Sequence, residues 1–283
     1  SKVGTQPIIG TQINFKYEDN IGLLPLIALN KKGYKRIIEL SSLSYLENDE
    51  LSIPHLNINE LLSHTDGVIL LSGTIHGLFG KLFEKGKFDE INKLYKKLSS
   101  KYNDQFYLEI QRHGDQNEIA FEKFNLNKSS EIRIPIIATN EVYDINPNMH
   151  EAHDALTCIG TKTYVNEKKR IKYSNQHYLK TDNEMCKLFS DLPEALENNF
   201  NLPYRCNFRP QSSNPVLPNI SSEEGGSADE KLQKDSLDGL KEKFLKVFKV
   251  EEKNLNKNID FIKYKDRLDH ELKIIIEMKY PSY

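Results

Sequence analysis

The sequence predicts an α/β fold in which buried parallel strands carry polar chemistry at their C-terminal ends, as in an α/β barrel or sheet. Three observations carry this. Short apolar runs, GVILLS at 67–72, FYLEI at 106–110 and IPIIA at 134–138, read as strands covered on both faces. Amphipathic helical stretches alternate with them. The last two runs end abruptly in side chains able to ligate a metal. Glu109, Gln111 and His113 close the first; Asn140, Glu141 and Tyr143 close the second; His153 and Asp154 follow on a predicted helix.

Taken in order, residues 6–16 (QPIIGTQINFK) read as a strand broken at Gly10, with no element before it. Residues 23–29 (LLPLIAL) are a buried strand or a helical turn, and Pro25 weakens the strand reading. An amphipathic helix spans 34–46, with Ile37, Ile38, Leu40 and Leu43 on its apolar side. A short helix at 58–62 precedes the strand at 67–72. Gly73, Gly77 and Gly80 mark a loop leading to a helix, and a further amphipathic helix covers 88–99. A helix near 116–124 separates the strands at 106–110 and 134–138. From Thr181 the character is helical, with Pro193 at a helix start. Residues 210–228 are rich in Pro, Ser, Asn and Gly and read as a linker. Long helices follow at 229–250 and 264–278, with Leu237, Leu240, Phe244 and Val247, then Leu268, Leu272, Ile275 and Ile276, at helical spacing.

Composition narrows the function classes. With 283 residues the chain holds one large or two ordinary domains. Its 39 basic and 41 acidic residues give a net charge of −2, so nucleic-acid binding would need a local basic face. Cys158, Cys186 and Cys206 are far apart, which disfavours a zinc ribbon or a disulfide framework and fits a reducing, cytoplasmic setting. No apolar run has the length of a membrane span, and SKVGTQPIIG lacks the pattern of a signal peptide.

FYLEIQRHG, ATNEVY, EAHDALTCIGT and EMCKLFSDLPEALENN together resemble the N-terminal part of the bacterial replicative DNA polymerase III alpha subunits, namely their PHP domain. PIIGTQINF, LIALNKKGYKRIIELSS, GVILLSGTIHG, NQHYLKTDNEM and LPYRC agree in order. The tail, YKDRLDHELKIIIEMKYPSY, is similar to the stretch that opens the family's polymerase palm. The resemblance implies an incomplete PHP-type (β/α) barrel at 1–207, a linker at 208–228 and the start of the palm at 229–283. It further implies that H-x-H-S-type and T-D-type motifs precede Ser1, and that the polymerase aspartates lie beyond Tyr283. On that reading the piece does not polymerise DNA alone.

The resemblance also implies a metal cluster built from His, Asp and Glu at strand ends, where cations activate water for phosphoester hydrolysis. Here Gln12 stands where the family often has an acid, Thr74 where a cysteine is common, and Tyr143 where an imidazole is expected. Glu109, His113 and Glu141 remain, a vestigial set expected to be unoccupied. A Zn or Mn centre is therefore not expected, and Mg belongs to the intact polymerase. The residue-level expectation is that Glu109 and His113 pair with one another or with Arg112, that His153 and Asp154 pack locally, and that Glu141 is solvated. The glycines around His76 serve a backbone turn, not a phosphate loop. The densest basic run is Lys168, Lys169, Arg170 and Lys172, a solvated loop by default and a weak candidate for phosphate contact. Three functions are open to such a chain: a non-catalytic scaffold of a replicase, which the resemblance pairs with a proofreading exonuclease, other replicase subunits and DNA; a metal-dependent phosphoesterase or 3'-5' exonuclease; or a separate interaction module.

Overall fold

The computed structural model describes residues 4–49, 52–63, 65–212, 214 and 226–282. The chain divides into two compact units, Ser1–Pro210 and Gln211–Tyr283.

The first unit begins with a hairpin. β1 (Gly10–Tyr17) and β2 (Asn20–Ala28) pair antiparallel from Tyr17↔Asn20 to Gly10↔Ile27, joined by Glu18 and Asp19. Residues 23–29 are thus mainly strand, not a helical turn. Pro25 is tolerated because it lies one residue outside the β2–β4 ladder, which starts at Leu26↔Leu70, so its missing N–H leaves no rung empty. α1 (Lys31–Leu46) starts three residues before the expected helix, because the Asn30 side chain caps the N–H groups of Lys32 and Gly33. Gly33 is required there: a Cβ would stand 1.7 Å from the Gly67 carbonyl oxygen.

β3 (Leu56–Asn57) pairs parallel with the outer side of β1 and is followed by α2 (Glu60–Ser63). Then come β4 (Val68–Leu71), α3 (Leu78–Glu84), α4 (Phe88–Tyr102), β5 (Phe106–Ile110), α5 (Glu118–Ile132) and β6 (Ile136–Ala138). α6 (His150–Thr161), α7 (Asp182–Leu188) and α8 (Pro193–Arg205) complete the unit. The six strands run in the order β3-β1-β2-β4-β5-β6. Parallel pairing, expected throughout, holds for β4–β5–β6, whereas a two-residue turn makes the first two strands a hairpin.

Alternation along each strand places side chains in two layers. Leu70, Phe106, Leu108, Ile110, Ile136 and Ala138 join the main core with Phe79 and Tyr95. Ile69, Leu71, Tyr107 and Ile137 face the other way, against Leu202 and Cys206. Glu109, two residues after Tyr107, shares that second face and pairs in register with Ile137.

The second unit holds α9 (Ala228–Lys246) and α10 (Ile259–Glu277). Ser227 and Glu230 form a capping box on α9, and Asn258 caps α10. Phe244, Leu255 and Phe261 form its small core. Of the apolar positions read from helical spacing, Phe244 and Leu272 are buried, whereas Val247 and Ile275 are exposed. The linker stretch lies largely outside the described residues. No helix among the described residues is long and apolar enough to cross a membrane.

Candidate functional site at the ends of β5 and β6

Beyond Ile110 the chain turns through Gly114, which has φ +81°, into α5. Glu118, in the first turn of α5, organises that turn. Its Oε2 accepts the N–H groups of His113 and Gly114 at 2.8 Å and of Asp115 at 3.1 Å. Its Oε1 lies 3.2 Å from His113 Nδ1. Burial works against the Glu118 carboxylate, but the hydrogen bonds from His113 and its neighbours outweigh it and hold the pKa below the usual range.

Glu109 is buried and serves the neighbouring strand. Its Oε1 accepts from Thr139 Oγ1 at 2.5 Å and from Gln111 Nε2 at 3.1 Å. Its Oε2 is buried without a hydrogen-bond partner. Burial pushes this carboxyl pKa up, against those two hydrogen bonds and a smaller opposing pull from the Gly73 backbone; the charge of Glu141 adds to the rise.

His113 is only 3% exposed, and both of its nitrogens are engaged. Nε2 lies 3.1 Å from Asn140 Oδ1 and 3.3 Å from the Glu141 nitrogen. The ring stacks on His177 at 4.0 Å between centroids and 1° between planes. Burial, then the proximity of His113, lowers the His177 pKa to about 4. Tyr143 extends this cluster, stacking on His153 at 5.0 Å and meeting Tyr173 at 4.5 Å. Burial, then the charge of Glu141, raises its hydroxyl pKa.

A cavity of about 390 Å³ opens beside these residues, lined by Gln12, Thr74, His76, Asp115, Glu141 and Tyr143 among others. A neighbouring recess of about 340 Å³ reaches His113, Glu118 and His177. His76 pairs with Asp115 at 2.9 Å across the mouth.

The expected pairing of Glu109 with His113, or of either with Arg112, does not occur. His113 has Glu118 and Asn140 within closer reach, and Arg112 is consumed elsewhere. Its guanidinium bonds Glu122, Asp191 and the Leu188 carbonyl, and lies over the Phe189 ring at 4.9 Å. Glu141 is partly exposed, and its Oε2 stands 4.0 Å from His177 Nδ1. His153 packs on Tyr143, and Asp154 forms a two-point ion pair with Arg170 at 2.5 and 2.8 Å. The basic run is thereby divided: Arg170 has a side chain 4% exposed, Lys168 and Lys169 are exposed, and Lys172 lines the cavity.

Among the described residues no three His, Cys, Asp or Glu side chains form a metal-binding group. The donors explain why. His113 has no free nitrogen, Glu109 directs one oxygen to Thr139 and Gln111, and the cavity wall offers Gln12, Thr74 and Tyr143. This donor set does not fit a cluster of metal ions.

The sequence reading missed Glu118, Asn140's role, His177 and the Arg112 junction. One signal was present: Asp115-x-x-Glu118 has the spacing of a capping box at a helix start. His177 carried no such mark, since only the fold brings it to β5.

A model of the PHP domain matches residues 1–113, ending at the tip of β5. The chain is similar to PHP domains over those residues. Its six-stranded sheet with flanking helices agrees with an incomplete PHP-type barrel followed by a helical segment. The chain as a whole is similar to DNA polymerase III alpha subunits. Identity is 34% to that of Caulobacter vibrioides, over 99% of this chain and 24% of the relative. It is 36% to that of Rickettsia conorii, over 100% of this chain and 24% of the relative. It is 33% to that of Vibrio cholerae, over 99% of this chain and 24% of the relative. The chain spans about a quarter of the length of these curated relatives.

Proposed function

We propose that this chain is part of a replicative DNA polymerase III alpha subunit, acting in DNA-directed DNA synthesis, and that its PHP domain is a structural scaffold without metal-dependent hydrolysis. The observation that carries the first half is similarity along 99–100% of the chain to relatives of that name. The scaffold reading draws on the tips of β5 and β6, where His113 and Glu118 bind each other and the backbone. On this reading residues 229–283 open the polymerase palm, Mg serves the intact polymerase, and the setting is cytoplasmic. The partners are DNA, a proofreading exonuclease and other replicase subunits.

One observation favours a second reading, a metal-dependent phosphoesterase or exonuclease: Glu109 keeps a buried oxygen without a partner near Glu141. The two readings separate on the protein expressed from its complete reading frame. After exposure to Zn²⁺ or Mn²⁺ and gel filtration, the scaffold reading expects less than one retained ion per chain and no hydrolysis of single-stranded DNA at this site. Two or more ions, with hydrolysis lost in His113→Ala and incorporation of nucleotides kept, would establish the phosphoesterase instead. Absence of template-directed incorporation by the complete protein would overturn the polymerase assignment.

A further inference from the structure

Residues 174–180 cross the ends of β5 and β6 as a strap. Ser174 Oγ donates to the His113 carbonyl at 2.6 Å. The N–H groups of Tyr143 and Asp144 donate to the His177 carbonyl at 2.8 and 3.0 Å. The Leu179 N–H donates to the Asp144 carbonyl at 2.8 Å, and Asn140 Nδ2 to the Tyr178 carbonyl at 2.8 Å. The strap thus lays His177 flat on His113 and ends at Lys180, whose side chain folds back over the Tyr178 ring at 4.5 Å.

The Lys180 ammonium donates to the Gln176 carbonyl and, at 3.0 Å, to Asn140 Oδ1. That same oxygen lies 3.1 Å from His113 Nε2, and His113 Nδ1 lies 3.2 Å from Glu118 Oε1. One series of contacts therefore runs from a carboxylate through an imidazole and an amide to a cation. The ammonium is partly buried, which lowers its pKa, while the charges of Glu184 and Glu118 act to keep it protonated. Carboxylates outnumber cations around the recess, where Asp115, Glu118 and Glu141 face Lys172. A tethered ammonium needs only oxygen acceptors, not the convergent anionic donors that a divalent ion demands.

We propose that Lys180 is a built-in cation for this site. Its ammonium, delivered by the strap, supplies positive charge to the strand ends and clamps residues 174–180 over His113, in place of a metal that the donor set does not fit. This rests on the metal-free reading of the PHP domain given above.

The test uses the complete protein, Lys180→Met, which keeps the stem, Lys180→Arg, which keeps the charge, and Asn140→Ala, which removes the acceptor. The readout is amide hydrogen exchange at Tyr143, Asp144 and Leu179, followed with EDTA, Mn²⁺ or Zn²⁺. In the wild type, exchange at these three amides is expected to ignore chelator and both ions, because metal at the polymerase site lies outside the strap. Lys180→Met loses the bonds to Gln176 and Asn140, and Asn140→Ala loses the lysine bond and the bond to the Tyr178 carbonyl; each is expected to exchange those three amides at least about tenfold faster. Lys180→Arg should exchange more slowly than Lys180→Met. If Lys180→Met leaves the amides unchanged while the wild type ignores metal, the built-in cation is wrong and the metal-free reading survives. If Mn²⁺ or Zn²⁺ slows exchange of those three amides in the wild type and EDTA speeds it, the metal-free reading itself fails. Should Lys180→Met not fold, unchanged exchange in Asn140→Ala overturns the proposal by itself.

Discussion

Arg112 and Glu109 leave the same end of β5 and meet opposite fates. Arg112 uses all of its N–H donors: Nε and one Nη2 hydrogen on Glu122, the rest on Asp191 and the Leu188 carbonyl. Glu109 satisfies one oxygen twice and leaves the other buried and unpartnered. The first region binds β5 to α5 and to the α7–α8 connection. The second holds more negative charge than its surroundings balance. A polar cluster at a strand end is therefore not one kind of object. Where donors and acceptors match, it stabilises the fold; where they do not, the excess group costs stability.

The largest effect is expected at the matched side. Arg112→Met should destabilise the first unit by about 3 kcal/mol, because Glu122, whose side chain is only 16% exposed, loses its cation. Asp191 is 61% exposed and contributes little to that figure. Arg112→Lys should recover little, since an ammonium cannot fork across two carboxylates and a carbonyl. Hydrogen exchange of β5 and α5 amides measures the loss. A change within about 0.5 kcal/mol for Arg112→Met, the range of an ordinary surface substitution, would show that the junction is no brace.

The stacked imidazoles give an intermediate effect with a definite sign. His177 has an ordinary pKa of 6.5 unfolded and about 4 folded, lowered by burial and then by His113. Between those values the unfolded chain binds more protons than the folded one. Stability is therefore complete above pH 6.5 and falls as pH drops from 6.5 towards 4. The ring is buried but lines the open recess, so screening trims the full linkage value and the loss is about 2 kcal/mol. His177→Phe, which keeps the stack, should flatten that limb in chemical denaturation between those pH values. The lowered pKa of Glu118 produces its own loss only below the ordinary carboxyl value of 4.5, so the two limbs overlap only at the acid end of the His177 window.

Much of this is legible in the sequence. The run FYLEI is strand β5 residue for residue, because five consecutive buried positions leave no other reading in an α/β alternation. The chemistry at its end is legible as composition only. Glu109, His113 and Glu141 are visible as candidates, yet their partners Glu118, Asn140, Thr139 and His177 depend on strand register and on a strap from residues 174–180. Nor does the sequence show that Arg170 faces Asp154 sixteen positions earlier. The hairpin is hidden by Pro25, whose tolerance depends on where the β4 ladder stops. Helical spacing in the second unit overstates burial: Val247 and Ile275 lie on apolar stripes that stay exposed.

The smallest effect sharpens the comparison by inverting its sign. Glu109 carries a pKa raised mainly by burial, so the folded state favours its neutral form. Such a group lowers stability at pH values above the ordinary carboxyl pKa of 4.5; the penalty shrinks as pH falls from the raised folded value towards 4.5 and is gone below it. Glu109→Gln keeps an oxygen to accept from Thr139 and Gln111 while removing the charge. It should stabilise the protein by about 1 kcal/mol near pH 8, and the gain should vanish near pH 4. Arg112→Met and Glu109→Gln, three positions apart, would then move stability in opposite directions. If Glu109→Gln instead destabilises at pH 8, and more so when Mn²⁺ is present, the unpartnered oxygen is not an unbalanced charge but half of a cation site.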